Sequence, residues 1–179
     1  PSWQAPGFDD SSWAAGASQL GYGEGDEATV AGFGADPNAK FITTYFRREF
    51  QVADPAAFNA VSLELLRDDG AIVYINGNEV FRSNMPAGNV NYQTHAASTV
   101  SDLQEVTYYG TILPASAFVA GTNTIAVEIH QINETSSDMS FDARLTGLSG
   151  ESHFIQKGEV WKYWDQGAAP AGEWTDLHY

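Results

Sequence analysis

The sequence contains no cysteine, so it offers neither a disulfide framework nor a thiolate site for catalysis or metal binding. Basic residues are scarce: 8 Lys and Arg stand against 23 Asp and Glu, which gives a formal net charge of −15. Such a charge repels phosphate backbones and anionic lipid headgroups. The sequence also lacks an apolar run of the roughly 18 residues that a membrane span requires. We therefore expect no nucleic acid partner and no membrane insertion.

The chain of 179 residues is near the usual size of one domain. It begins at Pro1 without an initiator Met or a signal peptide, which indicates a mature or excised piece. Its acidic, glycine-rich and lysine-poor composition, with many aromatic residues, is typical of secreted proteins. We expect an extracellular or cell-surface location.

The clearest local pattern predicts a β-hairpin between Arg67 and Arg82. Ile72 to Ile75 is a run of β-branched and aromatic residues, Asn76-Gly77 favours the positive φ angles of a type I′ turn, and Glu79 to Phe81 runs back. The first strand is too apolar to keep one face in water. We therefore expect it to be buried in a two-layer β-structure.

Alternating apolar and polar residues predict further strands along the chain. They cover Thr43 to Val52, Val61 to Leu65, Val106 to Ile112, Thr124 to Ile132 and Met139 to Leu145. About eight strands with short connections and almost no helical periodicity predict an all-β fold. We expect a two-sheet jelly-roll β-sandwich with an extra C-terminal strand segment.

One arginine in the strand from Thr43 to Val52 is expected to be buried. The alternation of the strand puts Arg48 on the same face as Phe46 and Phe50, which places its guanidinium inward. Because a buried guanidinium must be paired, we expect an ion pair with a carboxylate of a neighbouring strand. The candidate partners are Asp69, Glu128 and Asp142.

Motifs of known catalytic sites are missing from the sequence. There is no Gly-x-Ser-x-Gly or His-Glu-x-x-His pattern, and the four histidines are scattered. Glu128 and His130 share one strand face and could act as base and acid, but a structural carboxylate and a hydrogen-bonded core histidine are commoner outcomes. We expect that the protein is not an enzyme.

Some segments combine aromatic rings with hydrogen-bonding side chains, as sugar recognition requires. The candidate sugar-binding residues are Arg82, Asn84, Tyr92, Tyr108, Gln131 and Asn133. Most aromatic residues of a sandwich belong to its core, so a core role is the alternative at each aromatic position.

Four motifs, in this order, resemble the galactose-binding-domain-like jelly rolls. They are Phe8-Asp9-Asp10-Ser11-Ser12-Trp13, Tyr45-Phe46-Arg47-Arg48-Glu49-Phe50, Asp68-Asp69-Gly70-Ala71-Ile72-Val73-Tyr74-Ile75-Asn76-Gly77 and Gly121-Thr122-Asn123-Thr124-Ile125-Ala126-Val127-Glu128. The resemblance covers roughly residues 3 to 147. It implies a carbohydrate-binding-module-like unit of secreted bacterial multidomain proteins, a group that includes sugar binders, spacers and adhesion units.

The resemblance also implies a structural Ca²⁺, and acidic loops supply the oxygen ligands that this ion prefers. We expect Asp26, Glu27, Asn133 and Asp138 as its ligands.

We expect residues 1–148 to form the sandwich and residues 149–179 to form a linker and an aromatic strand, Val160, Trp161, Lys162, Tyr163 and Trp164. Residues 173–179 repeat the aromatic pattern of residues 2–8. In the modules that the chain resembles, such a strand comes just before the segment that contains Trp3. The sandwich therefore begins without this strand and ends with a copy of it.

Three arrangements would explain the displaced strand. The chain is one period cut out of phase from a tandem array, or it is permuted so that its own tail fills the gap, or its tail enters the next subunit and builds a fibre. Pairing of residues 160–164 within their own subunit would favour permutation over the fibre.

The sequence supports two hypotheses about function. The first is a non-catalytic extracellular structural or adhesive module, joined head-to-tail to copies of itself by strand complementation. The alternative is a carbohydrate-binding module with a polysaccharide partner.

Overall fold

A computed structural model of the chain describes residues 2–148 and 151–170. Within these ranges the fold consists of β-strands and short 3₁₀ turns. The strands are β1 (Ala14–Ala17), β2 (Leu20–Tyr22), β3 (Thr29–Val30), β4 (Thr43–Val52), β5 (Ala60–Asp68), β6 (Gly70–Ile75), β7 (Asn78–Ser83), β8 (Tyr108–Pro114), β9 (Gly121–His130), β10 (Met139–Leu148), β11 (Glu151–Ile155) and β12 (Val160–Trp164). The 3₁₀ turns are Pro55–Ala57, Asp102–Gln104 and Ala115–Ala117. No helix among the described residues is long and apolar enough to cross a bilayer.

The strands form two six-stranded sheets. Sheet A has the order β1-β12-β4-β9-β6-β7. Sheet B has the order β3-β2-β10-β5-β8, and β11 also pairs with β10. All pairings are antiparallel except that of β2 with β3. This architecture confirms the predicted all-β, two-sheet sandwich.

The main hydrophobic core lies between the two sheets. Phe46 of β4 stacks on Phe141 of β10, with ring centroids 4.2 Å apart, and both side chains are fully buried. Alternate residues of β5 and β9, such as Leu63 and Val127, complete this core. The pleat of a strand sends every second side chain to the same face, which is why alternation in the sequence locates the core.

The predicted hairpin is confirmed as β6 and β7. Asn76 and Gly77 have φ angles of 52° and 86°, and a type I′ turn requires positive φ at both of these positions. The buried strand β6 lies between β9 and β7, whereas β7 forms one edge of sheet A.

The aromatic strand from the tail is part of sheet A, where β12 lies between β1 and β4 of its own chain. Trp161 and Tyr163 pack on the main core, whereas Trp164 packs on the outer side of the sheet, as alternation predicts. The pairing within the subunit is the arrangement expected of a permuted chain. The terminal repeat in residues 173–179 lies outside the described residues.

A second hydrophobic cluster lies on the outer face of sheet A. The segment of residues 2–13 crosses this face, and its Trp3 and Trp13 are buried there in one cluster with Tyr45 and Ala126. Both faces of the central strands are therefore covered. Under this cover, Arg47 is only 1% exposed.

The expected ion pair of Arg48 is wrong. Arg48 is half-buried and pairs with Glu159, which precedes β12, at 2.6 Å. The buried guanidinium is that of Arg47, whose partner is Asp10 at 2.6 Å.

The three carboxylates expected to pair with Arg48 have other partners. Asp69 accepts hydrogen bonds from the amides of Val100 and Ile132, each at 2.8 Å. Asp142 accepts from the hydroxyls of Ser18 and Tyr108. Glu128 accepts a hydrogen bond from the hydroxyl of Tyr74. Backbone amides and hydroxyls thus satisfy acids for which the sequence predicted a guanidinium.

Candidate functional site

An open cleft of about 720 Å³ lies on the outer face of sheet A. Its floor comes from the central strands, because β4, β9 and β6 place Tyr45, Glu128 and Tyr74 on the same outer face. The N-terminal segment and the loop after β7 form its walls. The lining residues are Ser2, Trp3, Gln4, Tyr45, Tyr74, Gly77, Glu79, Arg82, Gly88, Asn89, Val90, Asn91 and Glu128.

Three aromatic rings meet at this cleft. The Trp3 ring lies edge-on to Tyr45 and to Tyr74, with centroid distances of 4.7 and 5.7 Å. Trp3 and Tyr45 are buried, and Tyr74 is half-buried. Edge-to-face packing of this kind holds the rings in place, so Tyr74 presents a fixed apolar surface to the cleft.

Glu128 is the buried acid of the cleft, with 4% of its surface exposed. Its Oε1 accepts a hydrogen bond of 2.7 Å from the Tyr74 hydroxyl. Burial raises the pKa of Tyr74, and the negative charge of Glu128 and this hydrogen bond raise it further. Tyr74 therefore stays protonated and remains a hydrogen-bond donor to the carboxylate.

His130 lies behind Glu128 on the same strand, with its Nε2 3.3 Å from Oε2 of the acid. Its Nδ1 lies 2.7 Å from the carbonyl oxygen of Thr94, which can only accept, so the proton of the neutral ring is on Nδ1. Nε2 of the neutral ring would then direct a lone pair at the carboxylate. Nε2 has no hydrogen-bond partner among the described residues.

Arg82 and Glu79 form the charged rim of the cleft. Two guanidinium nitrogens of Arg82, Nε and Nη2, donate to the two carboxylate oxygens of Glu79, each at 2.8 Å. Arg82 Nη1 also donates to the carbonyl oxygens of Pro86 and Gly88. The arginine therefore fixes the loop after β7 against the hairpin.

The structure brings only part of the predicted sugar-binding set to this cleft. Arg82 lines it, and the exposed ring of Tyr92 follows the lining residue Asn91. Asn84 instead donates to the carbonyl oxygens of Asp69 and Ser98.

The other three predicted sugar-binding residues lie elsewhere. Tyr108 donates to Asp142, and the ammonium of Lys157 lies 3.4 Å from the centre of its ring. Gln131 is buried, and Asn133 accepts hydrogen bonds from Thr135 in a local turn. These three residues do not line the cleft that contains Arg82, because they come from other segments that the fold carries to other positions.

A separate cluster of acids lies at one end of sheet B. Asp68, Glu105 and Asp138 each offer a carboxylate oxygen, and these oxygens all lie within 4.8 Å of one another. The strand order explains this meeting. Asp68 ends β5, Asp138 precedes its neighbour β10, and Glu105 precedes β8 on the other side of β5.

Asp68 is buried at the base of the acidic cluster, with 2% of its surface exposed. Burial, followed by the charges of Asp69 and Asp138, raises its pKa to about 9. A hydrogen bond with Asp138, followed by desolvation, raises the pKa of Glu24 to about 7. Four carboxyl groups thus crowd one end of the sheet, and the proximity of like charges favours protonation unless a cation compensates them.

The acidic cluster differs from the predicted metal ligands, of which only Asp138 belongs to it. Glu27 accepts hydrogen bonds from the amides of Glu24 and Gly25. Asp26 accepts a hydrogen bond from Gln19, and Asn133 accepts one from the amide of Thr135 within a local turn. Asp68 and Glu105 are the residues that sequence reasoning missed. The one local signal was the pair of acids, Asp68-Asp69, at the end of a buried strand.

No protein-family model matches the chain, and no curated protein matches it. Solved structures that match the chain include the α-L-rhamnosidase of Streptomyces avermitilis complexed with L-rhamnose, at 20% identity and a TM-score of 0.47 over 83% of this chain and 13% of that one. The α-L-rhamnosidase of Dictyoglumus thermophilum is 13% identical, with a TM-score of 0.47 over 86% of this chain and 16% of that one. The lectin of Pleurotus ostreatus is 13% identical, with a TM-score of 0.44 over 82% of this chain and 38% of that one. The chain thus spans a small part of these proteins.

Proposed function

We propose that this β-sandwich is a non-catalytic carbohydrate-binding module whose ligand lies in the cleft on the outer face of sheet A. The observation that supports the proposal is the convergence, in one cleft, of the Tyr74 ring, the Arg82–Glu79 pair and the buried carboxylate of Glu128. A pyranose has an apolar ring face and a rim of hydroxyls. An immobilised aromatic ring beside planar charged groups matches both.

The cleft fits small sugars in size and charge. Its volume is within the range of about 300–1,000 Å³ that is usual for small-molecule sites. The charge of Arg82 is neutralised by Glu79, and Glu128 adds a negative charge nearby. A neutral sugar is therefore a better ligand than an acidic one, and we propose a neutral polysaccharide as the partner.

Both carboxylates of the cleft are engaged with protein groups. Glu79 is held on both oxygens by Arg82, and Glu128 accepts from Tyr74 and contacts His130. Hydrolysis of a glycoside needs one acid that is free to protonate the leaving oxygen and a second that acts on the opposite side of the ring. The engaged carboxylates support binding without catalysis.

We also propose that the module acts outside the cell or at its surface, where polysaccharides are accessible. Head-to-tail assembly by strand complementation is the weaker proposal. It would require β12 to leave its place between β1 and β4, and Trp161 is fully buried there. A strand that completes its own sheet leaves no gap at that position for the strand of a neighbour.

Binding can be tested by affinity electrophoresis and isothermal titration calorimetry with a panel of neutral polysaccharides and their oligosaccharides. The wild-type protein should bind at least one of them. Substitution of Gln4→Ala or Asn89→Ala, both in the cleft lining, should weaken binding by about tenfold, the effect expected of losing a well-placed hydrogen bond.

A matched control is Gln156→Ala, an exposed residue on the turn between β11 and β12, which should bind like the wild type. Tyr108→Ala tests the other predicted aromatic position. If Tyr108→Ala abolishes binding while both cleft variants retain it, the cleft assignment is overturned. If no polysaccharide slows the protein in affinity electrophoresis and no oligosaccharide binds in calorimetry, the proposed carbohydrate function itself is contradicted.

A further inference from the structure

Independently of the cleft, we infer that the acidic cluster at the end of sheet B is a Ca²⁺ site, with Asp68, Glu105 and Asp138 as carboxylate ligands. The cluster joins three chain segments that are far apart in sequence, at the end of β5 and just before the starts of β8 and β10. A cation at this position would connect neighbouring strands of sheet B. The inference concerns stability and assembly of the sandwich rather than sugar recognition.

The observation that distinguishes this cluster from ordinary surface acids is the state of Asp68. This residue is 2% exposed, and its Oδ1 is shielded from solvent without a hydrogen-bond donor among the described residues. A buried carboxylate oxygen that receives neither a proton nor a cation costs several kcal/mol (roughly 2–7 for a polar group, more for a charge). The fold has thus placed a buried acceptor that either a proton or a bound cation must satisfy.

The spacing of the cluster fits a calcium ion. Ca²⁺ binds oxygen at about 2.3–2.6 Å, so two ligands on opposite sides of the ion are roughly 4.6–5.2 Å apart and adjacent ligands are closer. The three carboxylate oxygens all lie within 4.8 Å of one another. They can therefore contact one central ion without a rearrangement of the strands that carry them.

The chemistry of the surrounding groups selects among metals. The three ligands are carboxylates, and neither Cys nor His belongs to the cluster, whereas Zn²⁺ and Cu²⁺ sites use sulfur or imidazole ligands. Two more oxygens without a hydrogen-bond partner lie on adjoining residues, Oε1 of Gln131 and the hydroxyl of Tyr22. Gln131 donates to the Asp138 carbonyl, and Tyr22 pairs with Met139, the residue that follows Asp138. Hard oxygen donors of mixed charge are typical of Ca²⁺.

The site can be tested on the full chain with the metal alone. Protein freed of metal by chelation is titrated with CaCl₂ to about 10 mM, because extracellular modules bind Ca²⁺ with Kd values of about 10⁻⁴–10⁻³ M. Calorimetry should show saturable binding of one ion per chain. Thermal unfolding at constant ionic strength should shift upward by several degrees with Ca²⁺ and return to its starting value with EDTA, because the ion binds the folded state.

Asp68→Asn and Asp138→Asn keep the size of the side chains and remove their charge. Each variant should lose at least about tenfold in Ca²⁺ affinity, and the melting temperature without metal should be equal to or above that of the wild type because repulsion is relieved. Asp54→Asn is the matched control, since this acid lies in a distant turn where its Oδ1 accepts from Ala56. It should keep the wild-type response.

Asp26→Asn and Glu27→Gln separate this site from the ligand set expected from the sequence, and both variants should also respond to Ca²⁺. The inference is overturned if wild-type protein shows neither heat nor a shift in melting temperature. It is equally overturned if Asp68→Asn and Asp138→Asn respond like the wild type, or if only the Asp26 and Glu27 variants lose the response.

Discussion

Arg47 on β4 holds Asp10 of the N-terminal segment by an ion pair of 2.6 Å under the cover of that segment. The same guanidinium donates through Nε to the carbonyl of Trp3 and through Nη2 to the carbonyl of Ala5. It also lies 5.6 Å from the centre of the Phe8 ring. One side chain thus ties residues 3–10 to the outer face of sheet A and positions Trp3 in the cleft.

Arg47→Ala should destabilise the protein by about 3–5 kcal/mol, the usual cost of removing one partner of a buried ion pair. The change leaves two carbonyl groups and Asp10 without their donor. Urea unfolding monitored by tryptophan fluorescence measures the effect. Arg48→Ala is the control: its ion pair with Glu159 is partly exposed, so its loss should cost about 1 kcal/mol or less. Equal losses for the two variants would contradict the role assigned to Arg47.

Trp161→Ala should cost about 3–5 kcal/mol through the cavity it leaves in the main core. The indole is fully buried and packs edge-on against Phe141, with ring centroids 4.9 Å apart. Val160→Ala on the same strand is the control, because Val160 is 52% exposed and its change should stay within about 0.5 kcal/mol. Chemical denaturation of both variants gives the comparison.

The closed position of β12 predicts a monomer. Sedimentation equilibrium over a wide concentration range should give a single species of 19.4 kDa, because β1 and β4 already use both edges of β12. Concentration-dependent growth into larger species would contradict this prediction and revive strand exchange between subunits.

Gly77→Ala should destabilise the hairpin by about 1–2 kcal/mol, the cost of placing a side chain in the left-handed region. Gly77 has a φ of 86°, and a Cβ added there would meet Ala5 at an ordinary contact distance of 3.5 Å. The expected loss is therefore conformational rather than steric. Asn78→Ala, next to the turn, should have little effect in the same denaturation assay.

Stability should fall as the pH rises above 10. Burial, followed by the charge of Glu128, raises the pKa of Tyr45 and of Tyr74, and burial with a hydrogen bond to Asp142 raises the pKa of Tyr108. Each hydroxyl ionises near 10.0 in the unfolded chain and at higher pH in the fold. Their contribution is complete below pH 10, and it is lost as pH rises toward the folded-state values because the unfolded state releases its protons first.

Urea midpoints measured from neutral to alkaline pH test this expectation. Tyr74→Phe and Tyr108→Phe should each make the alkaline decline shallower, because phenylalanine has no proton to release. A decline of the same slope in both variants and in the wild type would show that other groups cause it.

Local sequence patterns predict the strands well where the physics is local. Alternation places β4 at Thr43–Val52, the bounds found in the structure, and Asn76-Gly77 marks the turn of the hairpin. Turn chemistry and strand periodicity involve only neighbouring residues, so no knowledge of the tertiary structure is needed.

The error at Arg48 shows that local patterns do not predict which face of a strand is covered. Alternation separates the two faces of β4 but does not say which face is covered, and here both are. The cover over Arg47 comes from residues 2–13, and their position on sheet A depends on long-range contacts that periodicity does not encode. The rule that a strand has one wet face therefore selected Arg48.

The acidic cluster was beyond prediction for a related reason. Its members become neighbours only through the order β2-β10-β5-β8, which joins strands that are remote along the chain. The sequence predicts a metal role for Asp138 because this residue lies in an acidic loop. Asp68 was assigned no metal role, because a carboxylate at the end of an apolar strand resembles a structural residue until its unpaired oxygen is seen.

The place of β12 in sheet A has a consequence for biosynthesis. β1 has β12 as its only strand partner in the described part of the chain, and their register pairs Ala17 with Val160. A ribosome releases β1 long before β12, and contacts of such high sequence separation form slowly because a long loop must close first. β1 therefore stays unpaired while the strands between it and β12 are synthesised. It can join sheet A only after β12 has been made.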